Sequence, residues 1–332
     1  MIAVLFTGCA SPKRVWFANG QAIASGPEGA LQVRPVGGEP LLGAVDVEGG
    51  QLIFTPQFPL QTGLTYEAVY ADPTGRAHRA QYTLPINAPT PMLLEMYPSG
   101  DTVPANHLKF YLHFSEPMAR GNIFRHFSLV DLTTGKRVEE PFRETELWSN
   151  DGRRLTLWLH PGRQKTEVNL NVDLGPVLEP RRRYALEIAA GWKSEAGVSL
   201  SAAGRKVFTT EPADRTQPKP NRWTVVPPQA GSRAPLVITF DETLDHALLH
   251  NMLTVQNAQG ELVTGSIEVT RFETQWRFTP QLAWAADRYR ARIGAELEDL
   301  AGNNLLRRFE INLEQPGETI FAGPRYLEFR PR

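Results

Sequence analysis

The sequence predicts an all-β protein built as three β-sandwiches in series. Three observations carry this: a strand–turn–tyrosine–strand pattern that recurs three times, short apolar or alternating runs closed by turn-forming residues, and an excess of Gly and Pro. Gly and Pro number 27 each among 332 residues, which is more than the usual ~12% combined and suits many turns and short strands. At roughly 100–150 residues per domain, such a chain holds two or three domains. Hydrophobic residues at 41% suffice for real cores, and charged residues at 21% exclude a charge-driven disordered chain. A formal net charge of -1 argues against nucleic acid as the main partner, because phosphate binding needs a concentrated basic face.

The elements follow in order along the chain. In the first copy the run Leu52-Ile53-Phe54-Thr55-Pro56 leads to Tyr66 and a second strand, then to Asp72-Pro73-Thr74-Gly75 and a closing strand around AQYTLP. The third copy repeats it: Trp276-Arg277-Phe278-Thr279-Pro280, then Tyr289, then Asp299-Leu300-Ala301-Gly302, with RFEINL expected to close the domain. The middle copy runs from Leu155 to Pro161, then Tyr184, then Ser194-Glu195-Ala196-Gly197, and ends in KVFTTEP. Phe114-Ser115-Glu116-Pro117-Met118 aligns with Phe240-Asp241-Glu242-Thr243-Leu244 upstream in the second and third copies. KFYLHF, RLTLWLH and LVITF have strand periodicity. Glu48-Gly49-Gly50 and Asn150-Asp151-Gly152 are hairpin turns, since these residues tolerate positive φ. Only Ile123–Phe127 and His246–Met252 look briefly helical. The expected divisions are 1–12, a short domain at 13–86, a domain at 89–212 with an insertion at 162–180, a domain at 219–314, and a C-terminal tail at 315–332. Pro-rich joints at 85–91 and 212–220 read as linkers, the second the more flexible.

The F-S-E-P-M strand end, the F-T-P followed by Tyr, and Asp299-x-Ala301-Gly302-Asn303 resemble bacterial Ig-like domains of the S-layer and surface-protein type. The resemblance implies three tandem Ig-like β-sandwich domains and an extracytoplasmic address. Such domains serve as spacers, adhesins and enzyme appendages alike, so it implies no reaction. The opening MIAVLFTGCASP is similar to a bacterial lipoprotein signal end, with small residues before Cys9. That resemblance implies lipidation of Cys9 and a lipid anchor in the cell envelope, at the outer membrane or cell surface. Eight residues before Cys9 are short for an export signal and lack a basic start, which an upstream translation start would supply. The alternative is an ordinary thiol in a cytosolic protein.

Catalytic patterns are weak. The single cysteine allows no intramolecular disulfide, and no P-loop, dinucleotide fingerprint or nucleophile elbow occurs. His246-x-x-x-His250 lacks a third zinc ligand and reads as a solvated helix face. The Asp-x-x-Gly turns read as Asx turns before calcium ligands. No cofactor and no metal is therefore expected. Of seven tryptophans, Trp158 and Trp276 fall in strands; Trp16, Trp148, Trp192, Trp223 and Trp284 lie near turns, where a sugar platform could form. Arg181-Arg182-Arg183 reads as a solvated strand entry.

Pro161 and Tyr184 stand 23 residues apart, against 10 and 9 in the other copies. The extra segment carries Arg163, Lys165, Glu167, Asn169, Asn171 and Asp173 interleaved with apolar residues, and these are the candidate binding residues; packing against the protein itself is the competing reading. The functional expectation is a non-enzymatic envelope lipoprotein acting as spacer, adhesion or binding module. The alternative is a carbohydrate-recognising or accessory subunit of a surface polymer-processing system. Its partners would be the membrane, through the anchor, and an envelope protein or polysaccharide.

Overall fold

Alternation of buried and exposed side chains builds the strands of the computed structural model, which describes residues 14–164, 175–309 and 325–332. Cys9 lies outside them, as do Lys165, Glu167, Asn169, Asn171 and Asp173. The chain forms two compact units, one ending at Pro89 and one running from Thr90 to Arg332.

The first unit is one sandwich. Its strands are β1 (Val15–Ala18), β2 (Gln21–Ser25), β3 (Ala30–Pro35), β4 (Gly43–Glu48), β5 (Gln51–Pro56), β6 (Thr65–Ala71) and β7 (Ala77–Thr83). They pair as β1-β2-β5-β4 and β3-β6-β7. Lettered A to G in chain order, this is A-B-E-D packed on C-F-G, the strand order of an immunoglobulin constant-type domain. The core is small, with Ala22, Ala24 and Ala68 between Leu31, Phe54, Tyr66 and Tyr70.

The second unit holds two sandwiches. The first of these is built from β8 (Leu93–Tyr97), β9 (Thr102–Pro104), β10 (Lys109–Phe114), β11 (Phe127–Asp131), β12 (Lys136–Arg137), β13 (Leu147–Trp148), β14 (Arg154–Trp158), β15 (Arg183–Ile188) and β16 (Gly204–Glu211). Its sheets run β13-β14-β10-β8 and β12-β11-β15-β16-β9. β9 adds in parallel to β16, so the D-E-B-A plan is kept and the other sheet gains a strand at each edge. A single helical turn, α1 (Pro161–Gln164), follows β14. The last sandwich comprises β17 (Thr224–Val226), β18 (Leu236–Thr239), β19 (Leu253–Asn257), β20 (Gly265–Thr270), β21 (Gln275–Pro280), β22 (Tyr289–Ile293) and β23 (Arg325–Phe329), with helix α2 (His246–Asn251) before β19. Its order, β17-β18-β21-β20 on β19-β22-β23, again reads A-B-E-D on C-F-G.

The repeats have a physical basis. Tyr66, Tyr184 and Tyr289 all lie at the start of strand F, and each hydroxyl accepts a backbone N–H from just upstream: Gln61 at 2.8 Å, Glu179 at 2.9 Å and Ala285 at 3.1 Å. This tyrosine corner fixes the E–F connection of an Ig-type sandwich. Gly43 and Gly265 open strand D in the first and third sandwiches and pair with Pro56 and Pro280. A Cβ at either would strike the ring of Phe54 or Phe278, so the aromatic of the F-T-P motif lies over a glycine. The Asp-x-x-Gly turns are Asx turns at the F–G connection: Asp72 accepts the N–H of Thr74 and of Arg76 at 3.0 Å, and Asp299 accepts those of Ala301 at 2.8 Å and Asn303 at 2.9 Å.

Three expectations need correction. The last strand of the third sandwich is Arg325–Phe329, paired with Tyr289–Ile293; that part of the expected tail at 315–332 belongs to the domain. Arg332 exchanges backbone bonds with Ala230 and Pro228 at 2.7 and 2.9 Å. Within the expected insertion at 162–180, Val177 and Leu178 are part of the second core. The connection at 212–220 is not slack: Asn106 and Asp214 exchange bonds at 2.7 and 2.9 Å, and the Gln217 amide donates to the Asn304 carbonyl at 2.7 Å.

Candidate functional site

The most elaborate polar arrangement lies where the two sandwiches of the second unit meet. Strand β10 places Phe110, Leu112 and Phe114 in its own core and turns Lys109, Tyr111 and His113 outward. A solvent-facing sheet would leave these three exposed. Instead Lys109 and Tyr111 are 8% and 6% exposed, because the third sandwich covers them.

Asp245 organises the contact. It caps α2 by accepting the Leu248 N–H at 2.9 Å, the usual role of a carboxylate before a helix. The Tyr111 hydroxyl donates to the same carboxylate at 2.8–2.9 Å, and the Lys109 ammonium lies 2.9 Å from both Asp245 and Glu298. Burial penalises the ammonium, yet the two carboxylates outweigh it and hold Lys109 above its ordinary pKa. Trp158 adds its ring face 5.2 Å from the Lys109 nitrogen. Beside this network Leu300 joins the hydrophobic core of the second sandwich, and its carbonyl accepts the Leu108 N–H at 3.1 Å. Gly302, at φ +81°, lets the turn come this close: a Cβ there would strike Leu108.

A second contact lies along β8. The tip between β20 and β21 holds Arg271, Phe272 and Glu273 at φ 52°, 56° and 59°, three consecutive non-glycine residues in the left-handed region. Each costs on the order of 1–3 kcal/mol and persists only where surroundings over-determine it. Glu273 accepts the Ser99 N–H at 2.9 Å, the Leu244 N–H donates to its carbonyl at 3.2 Å, and burial pushes its carboxyl above the usual range. Next to it the imidazole of His246 stacks on Tyr97 with centroids 3.4 Å apart, with His250 and His113 at 5.0 and 6.1 Å. His246 is thus buried in the joint, not part of a solvated helix face. Burial, with His250 and His113 nearby, pulls its pKa down to about 3.

Three carboxylates converge at the other end of the joint. Asp214, Glu242 and Asp299 bring oxygens within 4.8 Å of one another, and these residues could hold a cation. Burial pushes Asp299 up to about 7, and burial plus the neighbouring Asp299, Asp214 and Asp241 push Glu242 up to about 8. The sequence expectation named no metal, since the three residues come from a linker and two separate turns.

The expected binding residues are only partly described. Arg163 is buried, and its guanidinium donates to the carbonyls of Gly175 at 2.9 Å and Pro176 at 3.1 Å and to that of Glu139. It ties the base of the insertion to its own domain rather than offering itself to a partner. Beside it a cavity of about 510 Å³ is walled by Phe127, Leu129 and Phe142, with Arg137, Glu140 and Glu144 at the rim. The tryptophans form no exposed platform: the indoles of Trp192, Trp276 and Trp284 are buried and donate to the carbonyls of Ala119, Leu249 and Ala234. Trp223 is also buried, and Trp16, Trp148 and Trp158 are half-buried. In the arginine run, Arg182 pairs with Asp131 at 2.7 Å and Glu179 at 2.5 Å.

No protein-family model matches the chain, and no curated protein matches it. Among solved structures it is similar to the N-terminal part of the bacterial S-layer protein SbsC, at 15% identity and TM-score 0.26 over 61% of this chain and 40% of that one. It thus spans well under half of that chain. It is also similar to a tetra-tandem repeat in the extending region of a large adhesion protein, at 16% identity and TM-score 0.26 over 94% and 70%. A third likeness is to the FN1–FN3 domains of chicken CNTN1, at 12% identity and TM-score 0.24 over 96% and 97%. At these scores the likenesses carry no argument, and the Ig-like fold rests on the strand orders.

Proposed function

We propose that this chain is a non-enzymatic cell-envelope protein, held at the membrane through a lipid on Cys9, in which Ig-like sandwiches act as spacer and binding module. The observation that supports the spacer role is the joint. A loosely strung pair of domains would keep its facing surfaces wet and polar, as transient domain contacts are. Here a buried Lys109–Asp245–Tyr111 network, an inserted leucine and the buried Glu273 of a strained hairpin tip cross the contact, which suits a segment that must hold its length. Two experiments test the reading. Spin labels on the second and third sandwiches of the full chain should give one narrow distance distribution; a broad one would remove the spacer argument. In a bacterium the protein should fractionate with membranes and Cys9→Ser should release it; wild-type protein in the cytosol with a free Cys9 thiol would refute the anchor.

The cavity in the second sandwich favours a second reading, recognition of a glycan or envelope partner. Its volume is in the range of ligand sites, and its mixture of aromatic walls and charged rim is what such sites use. Combined replacement of Arg137 and Glu144 by alanine is the appropriate test, because both line the cavity and both are exposed. Loss of binding to isolated envelope polysaccharide, with folding intact, would support it; unchanged binding would exclude the cavity.

A further inference from the structure

Strand β4 forms one edge of the first sandwich, and all six of its residues are exposed. The Gln57 N–H donates to the Leu42 carbonyl at 2.9 Å, which sets the phase of the ladder. The backbone groups of Leu42, Ala44, Asp46 and Glu48 point toward β5, and those of Gly43, Val45 and Val47 point away. Pairing of Gly43 with Pro56 agrees, since proline has no N–H to contribute there. The edge therefore presents three N–H and three C=O groups to an incoming strand. Its register is unbroken over six residues, it contains no proline or bulge, and of the devices that blunt an edge it carries only the two charges Asp46 and Glu48.

The equivalent strands differ. β13 has two residues, and Ile267 and Val269 of β20 pack on their own core. Val45 and Val47 share a face with Phe54 and Leu52, yet they remain 45% and 57% exposed, beside Leu42 at 72%. The charge is equally one-sided. From Pro35 to Gly75 there is no Lys, Arg or His, while Glu39, Asp46 and Glu48 are exposed. Glu67 is occupied by Arg34 and Arg79, and Asp72 by His78; among the described residues Glu39, Asp46 and Glu48 have no ion-pair partner.

We propose that β4 is a strand-addition site for an extended polypeptide segment in which apolar residues alternate with Lys or Arg. Such a segment takes backbone bonds from Gly43, Val45 and Val47, continues the valine face with its apolar residues, and sets its cations beside Asp46 and Glu48. A second copy is the poorer occupant, because pairing β4 with itself gathers Asp46 and Glu48 from both copies and like charges in a sheet repel. The site does not depend on the joint or on the spacer reading.

The test uses the full chain and a fluorescent peptide of alternating Val and Lys. Saturable binding is expected, with slowed amide exchange at Val45 and Val47. Val45→Pro removes an outward N–H without touching the ladder to β5 and should weaken binding about tenfold or more, a loss of ~1.4 kcal/mol. In antiparallel addition the valine N–H groups face β4, so a peptide N-methylated at its valines should lose binding likewise and one N-methylated at its lysines should keep it; the reverse order marks parallel addition at the same edge. This peptide pair carries the test even if Val45→Pro unfolds the domain. Equal binding of both methylated peptides, or undiminished binding by a folded Val45→Pro, would overturn the proposal in favour of charge attraction alone. Dimerisation of the wild type that Val45→Pro abolishes would overturn the choice of occupant.

Discussion

In the second sandwich the outward face of β10 is buried, whereas in the first sandwich even the inward-facing valines of β4 lie open. The two strands belong to one fold plan and have similar alternation, so periodicity alone does not decide what is covered. The neighbour decides. Lys109 and Tyr111 are buried because Asp245 and Glu298 arrive with matching charge and hydrogen-bonding capacity. Val45 and Val47 are open on an edge strand whose ladder partner among the described residues is β5 alone. The first sandwich also has a core rich in alanine, while the other two are centred on Trp192, Trp276 and Trp284, each able to contribute several times what an alanine does on burial.

The largest effect should come from breaking the joint at its charge. Lys109→Met leaves Asp245 and Glu298 without their cation; removing one partner of a buried pair costs about 3–5 kcal/mol. Urea unfolding followed by tryptophan fluorescence should show this in the second unit, with the first sandwich unaffected. Leu300→Ala should cost about 2–3 kcal/mol at the same place by opening a cavity, and the second sandwich should lose stability although the substitution is in the third.

The pH dependence of the second unit should have two limbs. His246 has a folded pKa of about 3, below its ordinary value, so the unfolded chain binds the proton more readily. Its contribution is complete above about 6.5 and erodes as the pH falls toward 3. Other groups facing it are His113, His250, Arg154, Asp245 and Glu273, so His246→Phe should flatten this limb without abolishing acid unfolding. Asp299 and Glu242 have raised folded values, about 7 and 8; here the folded state holds the proton, and stability declines as the pH rises from about 4 toward 8. Glu242→Gln should raise the urea midpoint at pH 8 and leave it nearly unchanged at pH 4. A divalent cation bound by the three carboxylates would have the same sign at pH 8 in the wild type. The smallest effect sharpens the comparison from the other side: Tyr66→Phe, Tyr184→Phe and Tyr289→Phe should each cost about 1 kcal/mol, the worth of one hydrogen bond, alike in all three sandwiches.

What was legible in the sequence was local. The tyrosines, the F-T-P strands, the Asx turns, the 3-10 turn Ile123–His126 and helix α2 follow from residues a few positions apart, and each tyrosine accepts a backbone N–H four or five residues upstream. RFEINL has strand periodicity too, and only the pairing with β22 selects Arg325–Phe329 as the closing strand. The joint was illegible. Lys109 and Glu298 are 189 residues apart, and Tyr111 and Asp245 are 134; in isolation each reads as an ordinary surface residue. His246 and His250 read as a solvated face because nothing within their helix announces Tyr97. Arg163 reads as available for the same reason, its carbonyl acceptors lying well before and after it in the chain.

Through this joint the second and third sandwiches should behave as one body. Hydrogen exchange of the full chain through a denaturant series tests it most directly, with protection followed separately in β10 and β14 of the second sandwich and in β18 and β21 of the third. These four strands should lose protection together at one midpoint, Lys109→Met should separate them into two, and β2 and β5 of the first sandwich should follow a midpoint of their own. Independent midpoints for the second and third sandwiches in the wild-type chain, unchanged by Lys109→Met, would contradict it.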